Sequence, residues 1–479
     1  MEEKNDGWQG QKEKYKEMIK EDLKKHTRID ENDNFVMEGV KDKIVLVRAD
    51  EYKKLEKVII SYFGKDDLAK QILDIQPLYY DKNKIWWAWK MGEYKWEVVD
   101  ETDILIFVNN LALINTIVSK EKNEIIEALK QQSRKRKPMS IKNTWIQFKD
   151  QIIDIEDGTT LQSTAKYFVT NPIPYSLNKD SFENTPVMDR IFTEWVGEEN
   201  VKTLYEILAY CLLPDYPIHR IFCFIGGGMN GKSCFLNLLR KFIGNYNVCS
   251  TELDILLNSR FEVTRLHKKL VCQMGETNFN EMSKTSILKK LSGGDLIGFE
   301  YKRKDPFEEK NYAKIIISTN NLPTTSDKTI GFYRRWMIID FPNMFSEEKD
   351  ILNDIPEEEY ECLALKCTTI LHDLLKSRKF HREGSIEERI KKYEDHSNPL
   401  EKFMQEFVEE DFNGSIWKFE FEKKLNDWCK ENKFRQLSEM VIGKKMKEKG
   451  IDQVHQMSDW FIERKKKQLR AWSGLKWKA

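Results

Sequence analysis

The chain has 479 residues and a mass of 57.0 kDa, which at roughly 150 residues per domain is length for about three domains and a sizeable core. Apolar residues make up 40% and charged residues 33%, and 26 Phe, 17 Tyr and 13 Trp exclude a disordered chain. Lys plus Arg and Asp plus Glu are both 79, so overall charge says nothing of partners and any basic binding surface must be local.

No run approaches the about 18 consecutive apolar residues of a membrane span, and the charged start is unlike a signal peptide. A cytoplasmic protein with no membrane partner is expected, in the host cytoplasm if the chain is viral. Cys211, Cys223, Cys234, Cys249, Cys272, Cys362, Cys367 and Cys429 include no CxxC pair and no His at zinc-ligand spacing. They read as reduced, buried thiols.

Residues 1–30 are Lys/Glu rich and predict a solvated helix or a loosely docked arm. Tyr79 to Trp96 carries aromatic runs interrupted at Asp81–Lys84 and Met91–Glu93, which predicts a meander of short strands. Its aromatics are a sheet core first and a base-stacking surface second. The basic run Gln131 to Pro138 reads as a linker and closes an N-terminal domain, residues 1–138. Beyond it, Trp145 to Ile155 predicts a strand pair with a turn at Glu156–Gly158, and helical periodicity runs from Met188 through Leu213.

The chemistry concentrates after the apolar run Ile221–Ile225. There stand Gly226, Gly227, Gly228, Met229, Asn230, Gly231, Lys232 and Ser233, followed by an apolar helical pattern from Cys234 through Phe242. Strand, glycine-rich loop and helix in that order satisfy GxxxxGK[ST], the P-loop. Glycines let backbone N–H groups wrap phosphates, Lys232 reaches the β and γ phosphates, and the Ser233 hydroxyl ligates Mg2+. The helix N-terminus adds partial positive charge. ATP and Mg2+ are therefore the expected ligands, on Gly226 through Cys234.

Such a site needs an acid at the end of a neighbouring strand, and Glu276 follows the strand-like run Leu270–Gly275. A surface carboxylate at a strand end is its ordinary alternative. Glu276 is thus the candidate metal-side acid and catalytic base. A third strand, Ala313–Thr319, ends at Asn320, whose amide is a candidate for reading the γ phosphate or positioning water, although turn chemistry is also ordinary there.

Together with Leu291-Ser292-Gly293-Gly294-Asp295, Asn321-Leu322-Pro323 and Asp327 through Arg334-Arg335-Trp336 to Pro342, these motifs resemble a superfamily 3 helicase. The resemblance is to the branch of phage and plasmid primase-helicases and the poxvirus primase-helicase NTPase, and covers about residues 140–479. It implies an α/β P-loop NTPase core with an AAA+-like parallel sheet, an α+β N-terminal region and a C-terminal winged-helix domain. The implied division is a small domain at 139–200, the ATPase core at 201–345, a helical lid at 346–395 and a basic winged-helix-like domain at 396–479. In that resemblance Glu276 is the Walker B acid, with Gly275 where many members carry a second acid, and Asn320 is sensor 1. Arg334 and Arg335 match the arginine finger inserted into a neighbouring subunit, with Arg335 favoured.

Lys302, Arg303 and Lys304 fall where the resembled family has the tip of a pore-facing hairpin, and a charged solvent turn is the alternative. Residues 461–479 hold seven Lys/Arg against one acid, with Trp472 and Trp477 among them. That tail suits backbone contact with nucleic acid or a Trp-anchored dock on the core. The leading expectation is an ATPase and DNA helicase forming a homo-hexameric ring on single-stranded or forked DNA in viral, phage or mobile-element replication, beside partners such as primase and polymerase. The alternatives are a primase-helicase that synthesises primers, and a DNA-binding initiator that uses ATP only for assembly.

Overall fold

A computed structural model describes residues 65–111, 119–149, 151–177, 184–275, 281–282, 284–302, 304–346, 350–431, 436–457 and 468–478, and the short strand pair 27–29 and 35–37. The described chain divides into two units, one of residues 1–142 with 162–172, the other of 143–161 with 173–479. Most of residues 1–30 lies outside the described residues.

In the first unit, β1 (Thr27–Ile29) pairs with β2 (Phe35–Met37). Helix α1 (Lys65–Ile75) is followed by an antiparallel meander of β3 (Leu78–Tyr80), β4 (Trp86–Lys90) and β5 (Lys95–Val99), then by α2 (Glu101–Leu111) and α3 (Ser119–Lys135). The meander falls where the aromatic runs predict it. Trp86, Trp87, Trp89 and Trp96 are all buried, so these rings are core and no base-stacking surface. Ala69, Ile72 and Leu73 of α1 recur at helical spacing and pack with Ile125, Ile126 and Leu129 of α3. The basic run is in part the last turn of α3, where Arg134 and Lys135 oppose the helix's negative end and Arg134 Nη2 donates to the Asp81 carbonyl at 2.8 Å.

The second unit opens with β6 (Trp145–Phe148) antiparallel to β7 (Gln151–Asp154), then α4 (Pro186–Val196) and α5 (Glu198–Cys211). The single helical run predicted over 188–213 is two helices, because Gly197 adopts φ +80 between them. The N-terminal N–H groups of Val187 and Met188 in α4 are capped from far along the chain by the Glu359 carboxylate, at 2.9 and 3.0 Å.

Next come β8 (Ile221–Ile225), α6 (Lys232–Ile243), β9 (Val248–Thr251) and β10 (Val271–Met274). Helix α7 (Ser286–Leu291) leads to an antiparallel hairpin, β11 (Leu296–Phe299) with β12 (Phe307–Lys310), and then to β13 (Lys314–Thr319) and β14 (Trp336–Asp340). Five strands form one parallel sheet in the order β9-β10-β13-β8-β14. Burial on both faces explains their near-continuous apolar runs. On one face, Phe222, Phe224, Ile316, Met337 and Ile339 join the core with α4, α5, α6 and α8 (Glu357–Ser377).

Helices α9 (Ile386–Ser397) and α10 (Pro399–Phe407) follow, then β15 (Val408–Trp417), α11 (Lys418–Glu431), α12 (Glu439–Glu448), β16 (Gln453–Met457) and β17 (Gln468–Trp477). β15, β17 and β16 form an antiparallel sheet over a separate core of Leu400, Phe403, Phe421, Ile442 and Trp472. Trp472 is buried, and the Trp477 indole donates to Glu420 at 3.2 Å. The described part of the basic tail is therefore Trp-anchored, while Arg464 to Lys467 lie outside the described residues. Among the described residues all eight cysteines are free thiols, and no helix is long and apolar enough to cross a membrane.

One polar group sits deep in this fold. Lys314, fully buried at the start of β13, donates to the Leu213 carbonyl and lies 5.1 and 5.9 Å from the Tyr210 and Tyr216 rings. Burial drives its ammonium down to about 7 from 10.5. Between those values the unfolded chain holds more protons than the folded one, so stability from this group rises with pH from about 7 to about 10.5, by up to about 1.4 kcal/mol per pH unit. Lys314→Met is expected to raise the urea midpoint at pH 7 and to remove that slope, read from urea melts of both proteins between pH 7 and 10. An unchanged slope contradicts the assignment.

Candidate functional site

The loop 226–231 leaves the carboxyl end of β8, a middle strand, and its conformation depends on glycine where the backbone is crowded. A Cβ on Gly226 would stand 1.7 Å from Asn230 Nδ2 and 2.6 Å from the Phe341 carbonyl. Gly231 has φ +89, and its Cβ would meet the Trp195 ring at 2.4 Å. Gly228 and Met229 also have positive φ, 110 and 47. Asn230 is buried and braces the loop by donating to the Phe341 carbonyl at 3.3 Å.

Lys232 opens α6 and is buried. Its ammonium donates to the Gly226 carbonyl at 2.6 Å, to Asn230 Oδ1 at 2.9 Å and to Asn320 Oδ1 at 3.4 Å. Asn320 follows β13, the direct neighbour of β8. Two residues 88 positions apart are thus joined by pairing of these strands. Ser233 is exposed and Cys234 half-buried in the first turn of α6. The start of a helix beside a glycine loop and Lys232 suits an anion.

Glu276 lies outside the described residues. The strand leading to it, β10, is not adjacent to β8, because β13 is inserted between them. β10 itself is thus the second strand over from β8, about 10 Å away at strand spacing.

The two arginines separate. Arg335 is buried, with Nε donating to Ser292 Oγ at 3.2 Å, Nη2 to the Lys289 carbonyl at 3.3 Å and Nη1 to the Gly331 carbonyl. All three partners belong to its own chain. Arg334 is exposed. Both precede β14, whose Trp336 aligns with Ile221 and Asp340 with Ile225. They therefore stand at the amino end of the sheet, about 13 Å of strand from the loop end.

Lys302 and Lys304 are exposed in the turn of the β11–β12 hairpin, while Arg303 lies outside the described residues. The position is a strand-pair tip, as expected, well separated in sequence from the loop.

The strand-end rule that selects Glu276 also selects Asp340, which sequence reasoning missed. Its carboxylate takes hydrogen bonds or ion pairs from His396 at 3.0 Å and Lys392 at 2.7 Å. Burial pushes this carboxyl up, but the His396 bond and the Lys392 ammonium outweigh it and hold it at about 2. Lys402 of α10 donates to Asn321 Oδ1 at 2.8 Å, and the Tyr393 hydroxyl to the Pro323 carbonyl at 2.9 Å. No spacing signal in the sequence links these helices to the loop after β13.

The parallel sheet amid helices is an α/β core compatible with nucleotide-hydrolysing domains. A family of unknown function, DUF5906, matches residues 224–335, from β8 to Arg335. A protein of Acanthamoeba polyphaga mimivirus named "Putative helicase L207/L206" is 24% identical over 159 residues, 32% of this chain. The matched part is only 16% of that relative's own length. Two structures of the NrS-1 C-terminal region share 13% identity, with TM-scores of 0.43 and 0.44. They cover 85% and 86% of this chain and 98% and 99% of their own.

The loop geometry separates its glycines. Gly227 has open space around its Cβ position, whereas Gly226 does not. Gly227→Ala is expected to melt within about 1 kcal/mol of the parent and Gly226→Ala to lose about 1–3 kcal/mol through overpacking. Equal melting of the two variants contradicts the described loop.

Proposed function

We propose that this chain is an ATP-dependent DNA helicase of superfamily 3 type, working as a ring-shaped homo-oligomer, expected hexameric, on single-stranded DNA in viral, phage or mobile-element replication. The observation that carries the reading is the convergence of Lys232 and Asn320, 3.4 Å apart at the end of the β8–β13 pair, beside a loop in which crowding requires Gly226 and Gly231. In this reading the loop is a P-loop. Backbone N–H groups from Gly226 to Cys234 and the Lys232 ammonium bind the ATP phosphates, and Asn320 orients the attacking water. Ser233 would hold Mg2+, which supplies neutralisation of phosphate charge, with Glu276 as the acid on the metal's side and as general base.

The sheet itself supports assembly. Arg334 precedes β14 at the end of the sheet opposite its own loop, which supports a role at another subunit's phosphate. Arg334 is then the arginine finger and Arg335 the buried residue that holds its turn. Lys302, Arg303 and Lys304 contact DNA phosphates without reading sequence. The β15–β17 sheet with α11 and α12 is the winged-helix domain of this reading.

Lys232→Ala and Glu276→Gln are expected to lower ATP turnover by about a hundredfold or more, the second with ATP binding retained. Normal turnover in Glu276→Gln assigns the base elsewhere. Arg334→Ala is expected to lose about a thousandfold or more while still binding ATP and assembling. Mixed with Lys232→Ala it should regain activity, because some interfaces then combine an intact loop with an intact finger. No recovery between subunits shown to exchange contradicts action in trans. Changing Lys302 and Lys304 together to Ala should stop strand displacement and lower the salt slope of single-strand binding by about 1.4, at about 0.7 per contact. Parental unwinding by that variant removes the hairpin from the DNA path.

A further inference from the structure

The β11–β12 hairpin has strands of only four residues, and its tip end and its second strand are tied to the segment that feeds β10. The His267 ring lies against three hairpin rings, with centroids 5.2 Å from Phe299, 5.1 Å from Phe307 and 5.8 Å from Tyr301. Its Nδ1 is 2.8 Å from the Tyr301 hydroxyl and its Nε2 2.9 Å from Glu309 Oε2. Burial pushes the Glu309 carboxyl up, but the His267 bond and the Lys268 ammonium outweigh it and hold it at about 2. Glu309 is then a carboxylate that only accepts, so Nε2 carries the hydrogen. Beside this contact the Thr264 hydroxyl accepts from the Glu300 N–H at 2.9 Å and donates to the Glu300 carbonyl at 3.1 Å. Arg260 pairs with the Glu300 carboxylate at 3.2 Å.

Both hairpin strands are therefore gripped from residues 260–268, and β10 begins at Val271, running toward Gly275 and Glu276 while paired with β13. We propose that His267 is a positioning residue that makes the hairpin and β10 move as one body, so that a load on the hairpin tip reaches the strand ends of the nucleotide site. The inference rests on the helicase reading for the nature of that load, single-stranded DNA. The mechanical link stands on the contacts alone. His267 joins Tyr301, just past the end of β11, to Glu309, which lies within β12 opposite Ile297. A displacement of the tip cannot be absorbed by hinging at one strand, because both strands terminate on the same buried ring.

The test uses the full chain with oligo-dT. His267→Phe keeps the ring packing and removes both polar bonds. Glu309→Leu removes the acceptor, and Glu309→Gln keeps an oxygen for Nε2–H to bond. The ratio of ATP turnover with and without oligo-dT is expected to fall by about fivefold or more in His267→Phe and Glu309→Leu, and to stay within about twofold of the parent in Glu309→Gln. Parental ratios in folded His267→Phe and Glu309→Leu overturn the inference, and so does a Glu309→Gln ratio as low as that of Glu309→Leu. Should His267→Phe fail to fold, the two Glu309 variants decide. Amide exchange separates this result from the helicase reading. If the parent shows no turnover responsive to oligo-dT, that reading fails. The link is then decided by whether Glu309→Leu speeds exchange in 296–310 and 271–274 together, which supports it, or in 296–310 alone, which overturns it.

Discussion

The ammonium of Lys232 is held where three pieces of backbone meet: the exit of β8, the turn at Asn230 and the end of β13. Its contacts at 2.6, 2.9 and 3.4 Å all go to neutral oxygens. A buried charge is tolerable only with such partners, and each depends on a different feature of the fold. The Gly226 carbonyl requires the crowded turn, Asn230 requires the Phe341 carbonyl beyond β14, and Asn320 requires β13 to lie beside β8. The strand order is in this sense a condition for the lysine's position.

The sheet has two chemically different ends. Its carboxyl end carries the glycine loop, Lys232, Asn320 and Asp340, and its amino end carries Arg334. Helix α9 lies along β14 and touches both. Arg389 donates to the Arg334 carbonyl at 3.0 Å, and further along, Lys392 and His396 meet Asp340. Twelve residues of helix span about 18 Å, enough to bridge the length of β14. A change at the loop end and the posture of Arg334 are thereby linked through one stiff element. In the proposed ring, this connects one subunit's nucleotide to the residue it lends its neighbour. Lys402, binding Asn321, roots the C-terminal core on the same strand end.

Much of this arrangement is legible in the sequence because it is local. The glycine loop between an apolar run and a helical pattern, the Asn at a strand end and the basic hairpin tip are each written in a few consecutive residues, and the described structure has those elements there. What is not legible is what depends on pairing between distant segments. Nothing near Glu276 announces that β13 will insert between β10 and β8. Arg334 and Arg335 are adjacent and alike, and only the packing of α7 against the turn buries one and exposes the other. The break at Gly197 needs a positive φ that periodicity does not register. The basic run before Pro138 is helical in its first part because α3 packs on α1, a tertiary contact that composition does not register.

The central claim, that the nucleotide site is completed by a second subunit, is tested most directly by measuring ATP turnover per subunit across a dilution series in which mass photometry reports the oligomer present. The account predicts that turnover per subunit collapses as assemblies dissociate to monomers, because no monomer brings an Arg334 to its own loop. Turnover per subunit that stays constant down to the monomer would contradict it.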